Sequence, residues 1–242
     1  MYLASLKNFI IKELAGWKKT ELLFLNSILL IVLVNAIYMK DSLIAFFSAI
    51  FGILYTAFAG KGKISCYLFG LGGSGLYAYL SLKNALYGNL LLYLCYYIPM
   101  QILGIFRWRK HLNSSNEIYK KSVNNKKLFY SLSIMSCVIV CIILGYMNDS
   151  HPIYDGITTA FSVVGMYLTV RRCIEQWVVW GIVNSLSAIM WLKVLLSGQK
   201  VYSTVLMWTA YFIFSIYFYF QWKKEFKTEK KPDKPACLCV CI

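Results

Sequence analysis

Two stripes of uncharged polar and aromatic residues carry most of the chemistry open to this sequence. Trp180, Asn184, Ser187 and Trp191 recur at i, i+4, i+7 and i+11, a spacing that puts side chains on one helix face. Tyr97, Gln101, Gly104 and Trp108 repeat that spacing, with Pro99 set among them, where a proline tends to bend a helix and open space beside Gln101. Amides both donate and accept hydrogen bonds, and aromatic faces attract cations, so such stripes suit the holding of a small neutral or cationic solute. They do not suit acid–base work. His111 and His151 stand alone in loops, neither HExxH nor a glycine-rich phosphate loop occurs, and none of the 8 cysteines forms a zinc spacing with a histidine. The expectation is no catalytic residue, no metal, no cofactor and no enzyme.

The elements that must position these stripes follow from composition. Of 242 residues, 59% are hydrophobic and 17% aromatic, more than a soluble domain of this size can hide. A helix rises about 1.5 Å per residue, so roughly 20 uncharged residues span a hydrocarbon core of about 30 Å. Uncharged runs of that order lie at 22–39, 43–60, 64–82, 84–106, 128–148, 156–170, 176–192 and 201–222. Alternating ten-residue segments of a barrel are not seen, so the fold class is an all-α membrane protein of about eight transmembrane helices. Met1 to Thr20 carries four lysines and no apolar stretch of its own, and does not read as a cleavable signal. The chain ends Cys-Val-Cys-Ile, a formal prenylation box that means little beside so many spans.

A net charge of +15 raises the question of nucleic acid, and the placement of the charge answers it. With the N-terminus in the cytoplasm, 21 of the 25 basic residues fall on the cytoplasmic side; Lys40, Lys83, Lys193 and Lys200 are the exceptions. The positive-inside rule accounts for the charge, both termini are expected in the cytoplasm, and membrane lipid rather than nucleic acid is the expected surrounding. No ionisable residue falls within the runs, so proton or sodium coupling lacks its simplest carrier and facilitated diffusion is the expected mode.

The fourth and eighth runs align without a gap: Tyr97 falls on Tyr211, Ile102 on Ile216, Phe106 on Phe220 and Trp108 on Trp222. Phe47-Ser48 falls likewise on Phe161-Ser162, and Gly70 on Gly181. Matched runs are four helices apart and cross in the same direction, which predicts two parallel three-helix repeats, a plan known among small-solute carriers. The expected divisions are 1–42 (N-terminus and leading helix), 43–110 (first repeat), 111–152 (basic loop and linking helix), 153–224 (second repeat) and 225–242 (cytoplasmic tail). In the third run Gly70, Gly72, Gly73 and Gly75 read as close helix packing. Gly73 falls near the counterpart of Asn184, so the halves are expected to share a site unequally.

Asn184 lies eight residues past Gln176, about 12 Å deep, where an unpaired amide would cost several kcal/mol. The candidate binding site is therefore Gln101, Trp180 and Asn184, with Tyr97, Ser187, Trp191 and Tyr211 around them. Trp177 stands at its margin, although Trp108, Trp177 and Trp222, beside basic residues, also read as anchors at the membrane interface.

These residues resemble the PnuC family of bacterial nicotinamide riboside transporters. The resemblance rests on Gly60-Lys61-Gly62-Lys63 with Tyr67, Gly70 and Leu76-Tyr77-Ala78-Tyr79, on Pro99-Met100-Gln101 with Gly104 and Trp108, and on Arg171 and Glu175 before Trp177, Trp180 and Asn184. It implies uptake of nicotinamide riboside, trapped by phosphorylation in the cytoplasm, through a bacterial inner-membrane protein with a SWEET-like fold, and a possible homotrimer. A carrier of another sugar or vitamin-like nucleoside, and a membrane scaffold that transports nothing, are the alternatives.

Overall fold

The computed structural model describes residues 11–39, 43–83, 87–113, 116–147, 152–198 and 202–229. His151, Asp149, Lys40, Lys200 and the cysteines of the tail lie outside them. Within the described residues the chain is helical: α1 (Lys19–Met39), α2 (Leu43–Gly60), α3 (Cys66–Lys83), α4 (Tyr87–Leu92, Tyr93–Tyr97 and Ile98–Arg109 end to end), α5 (Lys126–Tyr146), α6 (Pro152–Val170), α7 (Gln176–Leu196) and α8 (Tyr202–Glu229). Among the described residues five stretches are long and apolar enough by themselves to cross a membrane: Lys19–Tyr38, Leu90–Arg109, Lys126–Tyr146, Ile153–Val170 and Gln176–Leu196. The eight expected spans include three more. Of these α2 counts only as a shorter apolar helix, Phe46–Gly60, while α3 is diluted by glycine and tyrosine and α8 by tyrosine and its basic end. A helix that faces a cavity on one side needs apolar residues only on the other, which accounts for α3 and α8, whereas α2 is apolar almost throughout and falls short in length alone.

Helix α5 shows the solvent most directly. Its buried side is Ser133 and Cys137, one turn apart, while Leu132, Ile134, Met135, Val138 and Ile139 are exposed. Small and weakly polar inside with bulky aliphatic outside is the reverse of a water-soluble helix and the pattern of a helix bathed in lipid. The N-terminus of α5 is capped by Asn125, whose Oδ1 accepts from Leu128 N at 3.1 Å.

Packing sorts the helices. α3 lies against α2 and α4; α7 lies against α6 and α8; α2 meets α8, and α4 meets α6. α1 rests on α2 and α8, and α5 on α6. Close approach depends on glycine. A Cβ at Gly104 would stand 2.2 Å from the Tyr67 ring, and one at Gly60 would stand 2.2 Å from the Phe218 ring. Pro99 shapes α4 in another way than a simple bend. Proline donates no hydrogen bond and crowds the carbonyl four residues back, and the helix widens just before it into a π turn over Tyr93–Tyr97, closed by Ile98 N donating to Tyr93 O. That turn brings Tyr93 and Tyr97 to the interior side.

The ends that carry the basic residues gather on one side and interlock. Trp108 Nε1 donates to Thr169 O at 3.0 Å, and Trp222 Nε1 to Gly60 O at 2.6 Å, so each indole caps the last turn of a helix in the facing group. Both are fully buried, which overturns their reading as interfacial anchors: the ring nitrogen binds protein, not headgroups. Residues 116–125, expected only as part of a basic loop, form a strap. Ile118 N donates to Gly62 O at 3.1 Å, Lys121 N to Arg172 O at 2.9 Å, and Ile174 N to Lys121 O at 2.8 Å, so the strap binds the α2–α3 and α6–α7 turns together. Lys63 pairs with Glu117 at 3.2 Å and Lys120 with Glu225 at 2.6 Å. Enclosure in this layer holds the Arg172 guanidinium below its ordinary pKa, because burial disfavours its charge.

Glu175 pins the strap from below, accepting from Ser122 Oγ at 2.7 Å, Val123 N at 3.1 Å and Lys126 Nζ at 3.1 Å. The Lys126 ammonium is mostly exposed and adds little; the two half-buried donors contribute about 1 kcal/mol each. Glu175→Ala is therefore expected to open the strap to trypsin at Lys120 and Lys121 in detergent, where the native protein resists. Equal cleavage rates in the two proteins would show that the carboxylate does not hold it.

Candidate functional site

Between α2, α3, α4, α6, α7 and α8 lies a cavity of about 600 Å³. It runs from Ala59, Thr169 and Gln176 near the strap to Leu80 and Thr204 toward the other end. Among the described residues no Asp, Glu, Lys, Arg or His lines it. Its walls are tyrosine, tryptophan and phenylalanine broken by hydroxyls and amides.

Two amide–hydroxyl pairs cross it. Gln101 Nε2 on α4 donates to Ser74 Oγ on α3 at 2.8 Å, and Asn184 Nδ2 on α7 donates to Ser215 Oγ on α8 at 2.9 Å. Each pair leaves acceptor capacity: Gln101 Oε1 is buried without a hydrogen-bond partner. Such an atom costs free energy until something donates to it. Trp180 is held by its Nε1 donating to Thr169 Oγ1 at 3.1 Å, and that hydroxyl in turn donates to Gly165 O at 2.8 Å. The Trp180 ring lies close over Gly165, where a Cβ would stand 2.9 Å from it. Tyr77 and Tyr93 stack at 4.6 Å, and Tyr93 continues to Tyr97 at 4.9 Å, which gives α3 and α4 an aromatic wall.

Gln101, Trp180, Asn184, Tyr97, Tyr211 and Trp177 all line this cavity. Ser187 and Trp191 do not: Ser187 is buried among helices, and Trp191 is half-exposed. The stripe on α7 was extended one way from Asn184, whereas the cavity extends the other, through Trp180 to Gln176. Trp177 is no interfacial anchor, since it packs edge-on to Trp222 at 5.7 Å and is buried. Ser74 and Ser215 were not singled out from the sequence, nor were Tyr55, Thr169, Gln176 and Trp208. Ser215 was within reach, because the 114-residue offset that aligns α4 with α8 carries Gln101 onto it. In α3 it is Ser74, next to Gly73, that faces the cavity and supplies a polar partner.

The model of the nicotinamide mononucleotide transporter family matches residues 42–224. A nicotinamide riboside transporter PnuC of Neisseria mucosa is 35% identical over 88% of this chain and 84% of its own length. The chain belongs to this transporter family. A PnuC of Haemophilus influenzae is 29% identical over 88% of this chain and 93% of its own. The crystal structure of the vitamin B3 transporter PnuC superposes with a TM-score of 0.77 at 33% identity, covering 91% of this chain and 98% of that one. Membership makes the chain a membrane transport protein, not an enzyme. The PnuC resemblance stated from Gly60-Lys61-Gly62-Lys63, Pro99-Met100-Gln101 and Trp177, Trp180 and Asn184 is thereby established as kinship. In the family setting Gly104 has a packing task, giving way to Tyr67, and the α2–α3 and α6–α7 turns share one geometry with Gly62 at φ 69° and Arg172 at φ 62°.

Proposed function

We propose that this chain takes up nicotinamide riboside across the bacterial inner membrane by facilitated diffusion, with Gln101, Trp180 and Asn184 as the centre of the binding site. The charge-free, aromatic and amide-lined cavity is the observation that carries the reading, and the relatives named nicotinamide riboside transporters supply the substrate. A pyridinium cation binds well to an indole face without any carboxylate, and Trp180 offers one. Gln101 and Asn184 offer both donors and acceptors to the polar groups of the riboside, with Tyr97, Tyr211 and Trp177 completing the wall. Coupling to an ion would need a carrier group that the lining does not provide.

The movement is a rocking of two parallel three-helix units, α2–α4 and α6–α8. Four correspondences support this arrangement. α2 meets α8 as α4 meets α6. Trp222 caps α2 as Trp108 caps α6. Lys63 N donates to Phe58 O at 2.9 Å as Cys173 N donates to Leu168 O at 3.0 Å. The pairs Gln101–Ser74 and Ser215–Asn184 occupy matching helices with amide and hydroxyl exchanged. The strap then marks the cytoplasmic side, with both termini there, by the positive-inside rule. A homotrimer belongs to the same reading, and light scattering on the detergent-purified protein counts the copies.

Uptake of labelled nicotinamide riboside into proteoliposomes tests the proposal. Uptake above empty vesicles, competed by unlabelled riboside and not by thiamine or glucose, is expected. A scaffold would show none, and a carrier of another solute would yield to one of the competitors.

A further inference from the structure

One buried amide in the cavity lies outside the stripes read from the sequence. Gln176 opens α7, is 1% exposed, lines the cavity, and its Nε2 has no hydrogen-bond partner. Trp177 Nε1 beside it is also buried without an acceptor. Gln176, Trp180 and Asn184 stand at i, i+4 and i+8, so they follow one another along one face of α7 over about 12 Å. The two ends of that face lack opposite things. At the Gln176 end two donors have no acceptor, and at the Asn184 end Gln101 Oε1 has no donor.

Resting on the nicotinamide riboside reading, we propose that Gln176 recognises the substrate's carboxamide, with its Nε2 donating to the carboxamide oxygen. That oxygen has two lone pairs and can accept from Gln176 Nε2 and Trp177 Nε1 together. The pyridinium ring then lies against Trp180, one turn along, and the ribose reaches the Gln101 and Asn184 end. A hydroxyl can donate to Gln101 Oε1, which a second acceptor could not do. The order of chemistry along α7 (donor pair, indole, amide) thus matches carboxamide, ring and sugar, and it sets the direction of the bound molecule. Gln176 is by this assignment the residue that makes the carrier selective for a carboxamide, since a site built to donate to an oxygen rejects a ligand that lacks it.

Calorimetry with nicotinamide riboside and with N-ribosylpyridinium, the same compound without its carboxamide, tests the assignment on the full chain. The native protein should prefer the carboxamide compound by about ten- to a hundredfold, the difference made by one or two buried hydrogen bonds. Gln176→Met keeps the length and removes the donor, and Gln176→Glu keeps the shape and removes it too. In either variant the preference should fall about tenfold, chiefly through weakened binding of the carboxamide compound, since only Trp177 Nε1 still donates to its oxygen. A preference undiminished in a folded variant, or a native protein that binds both compounds alike, overturns the role of Gln176 while leaving the riboside reading intact. Absence of all riboside binding to the native protein removes the reading and the assignment together.

Discussion

Nicotinamide riboside binding to the Gln101→Leu, Asn184→Leu double variant is expected to fall by about a hundredfold or more. Each amide is buried, and on the proposed reading each gives the ligand a hydrogen bond, worth about 1–3 kcal/mol when removed. A tenfold change is about 1.4 kcal/mol, so two losses of about 2 kcal/mol each come to nearly three decades when they add, and a hundredfold allows for partial overlap. The fold should survive. Ser215 Oγ already donates to Tyr211 O at 2.8 Å within its own helix, and Ser74 can turn to a carbonyl of its own helix in the same way. Calorimetry gives the affinity, and circular dichroism on the same sample confirms the helices. Affinity within about threefold of native, well under the cost of one hydrogen bond, would remove both amides from the site.

Gly104→Leu is expected to abolish the folded bundle, and Gly104→Ala to destabilise it by about 3 kcal/mol, the upper part of the usual range for overpacking. The new Cβ would meet three atoms of Tyr67, at 2.2, 2.4 and 2.5 Å, well inside contact distance. Tyr67 cannot swing aside, because it is fully buried, with Trp108 edge-on at 4.9 Å and Tyr55 at 6.4 Å. Any yielding would also disturb the indole that caps α6. Gly75→Ala serves as the comparison, since a Cβ there meets nothing within 4 Å. Thermal unfolding in detergent should leave Gly75→Ala near native and lower Gly104→Ala clearly. Matching melting temperatures would mean that α3 and α4 approach less closely than described.

The features legible in the sequence are those where one residue type decides the matter. An amide within an uncharged run must find a partner, so Gln101 and Asn184 stood out before any helix was placed. The uncharged runs located the helices within about four residues of their observed ends, except that α8 continues to Glu229, past the run that stopped at Trp222. Rotation was harder. The i, i+4, i+7 spacing names a helix face but not the depth at which that face leaves the cavity, so Ser187 and Trp191 were included while Gln176, one turn before Trp180, was passed over. Serines carry little signal, because they bond within their own helix as readily as across a site, and Ser74 and Ser215 were hidden for that reason. The tryptophans beside basic residues misled because the interface and a helix end near it share a depth. What separates them is the carbonyl that each indole reaches, and that belongs to another part of the chain. The strap was unreadable for the same cause, since its partners Gly62, Arg172 and Ile174 lie far off in sequence.

The most direct test of a cavity without charge compares two ligands that differ only by a phosphate. Titrated into the purified native protein at equal salt, nicotinamide riboside should bind, and nicotinamide mononucleotide should bind at least about a hundredfold more weakly, because its phosphate dianion meets no lysine or arginine among the described lining residues to offset its lost hydration. Binding of the mononucleotide as tight as that of the riboside would contradict the account, since it would require a cation where the lining has none.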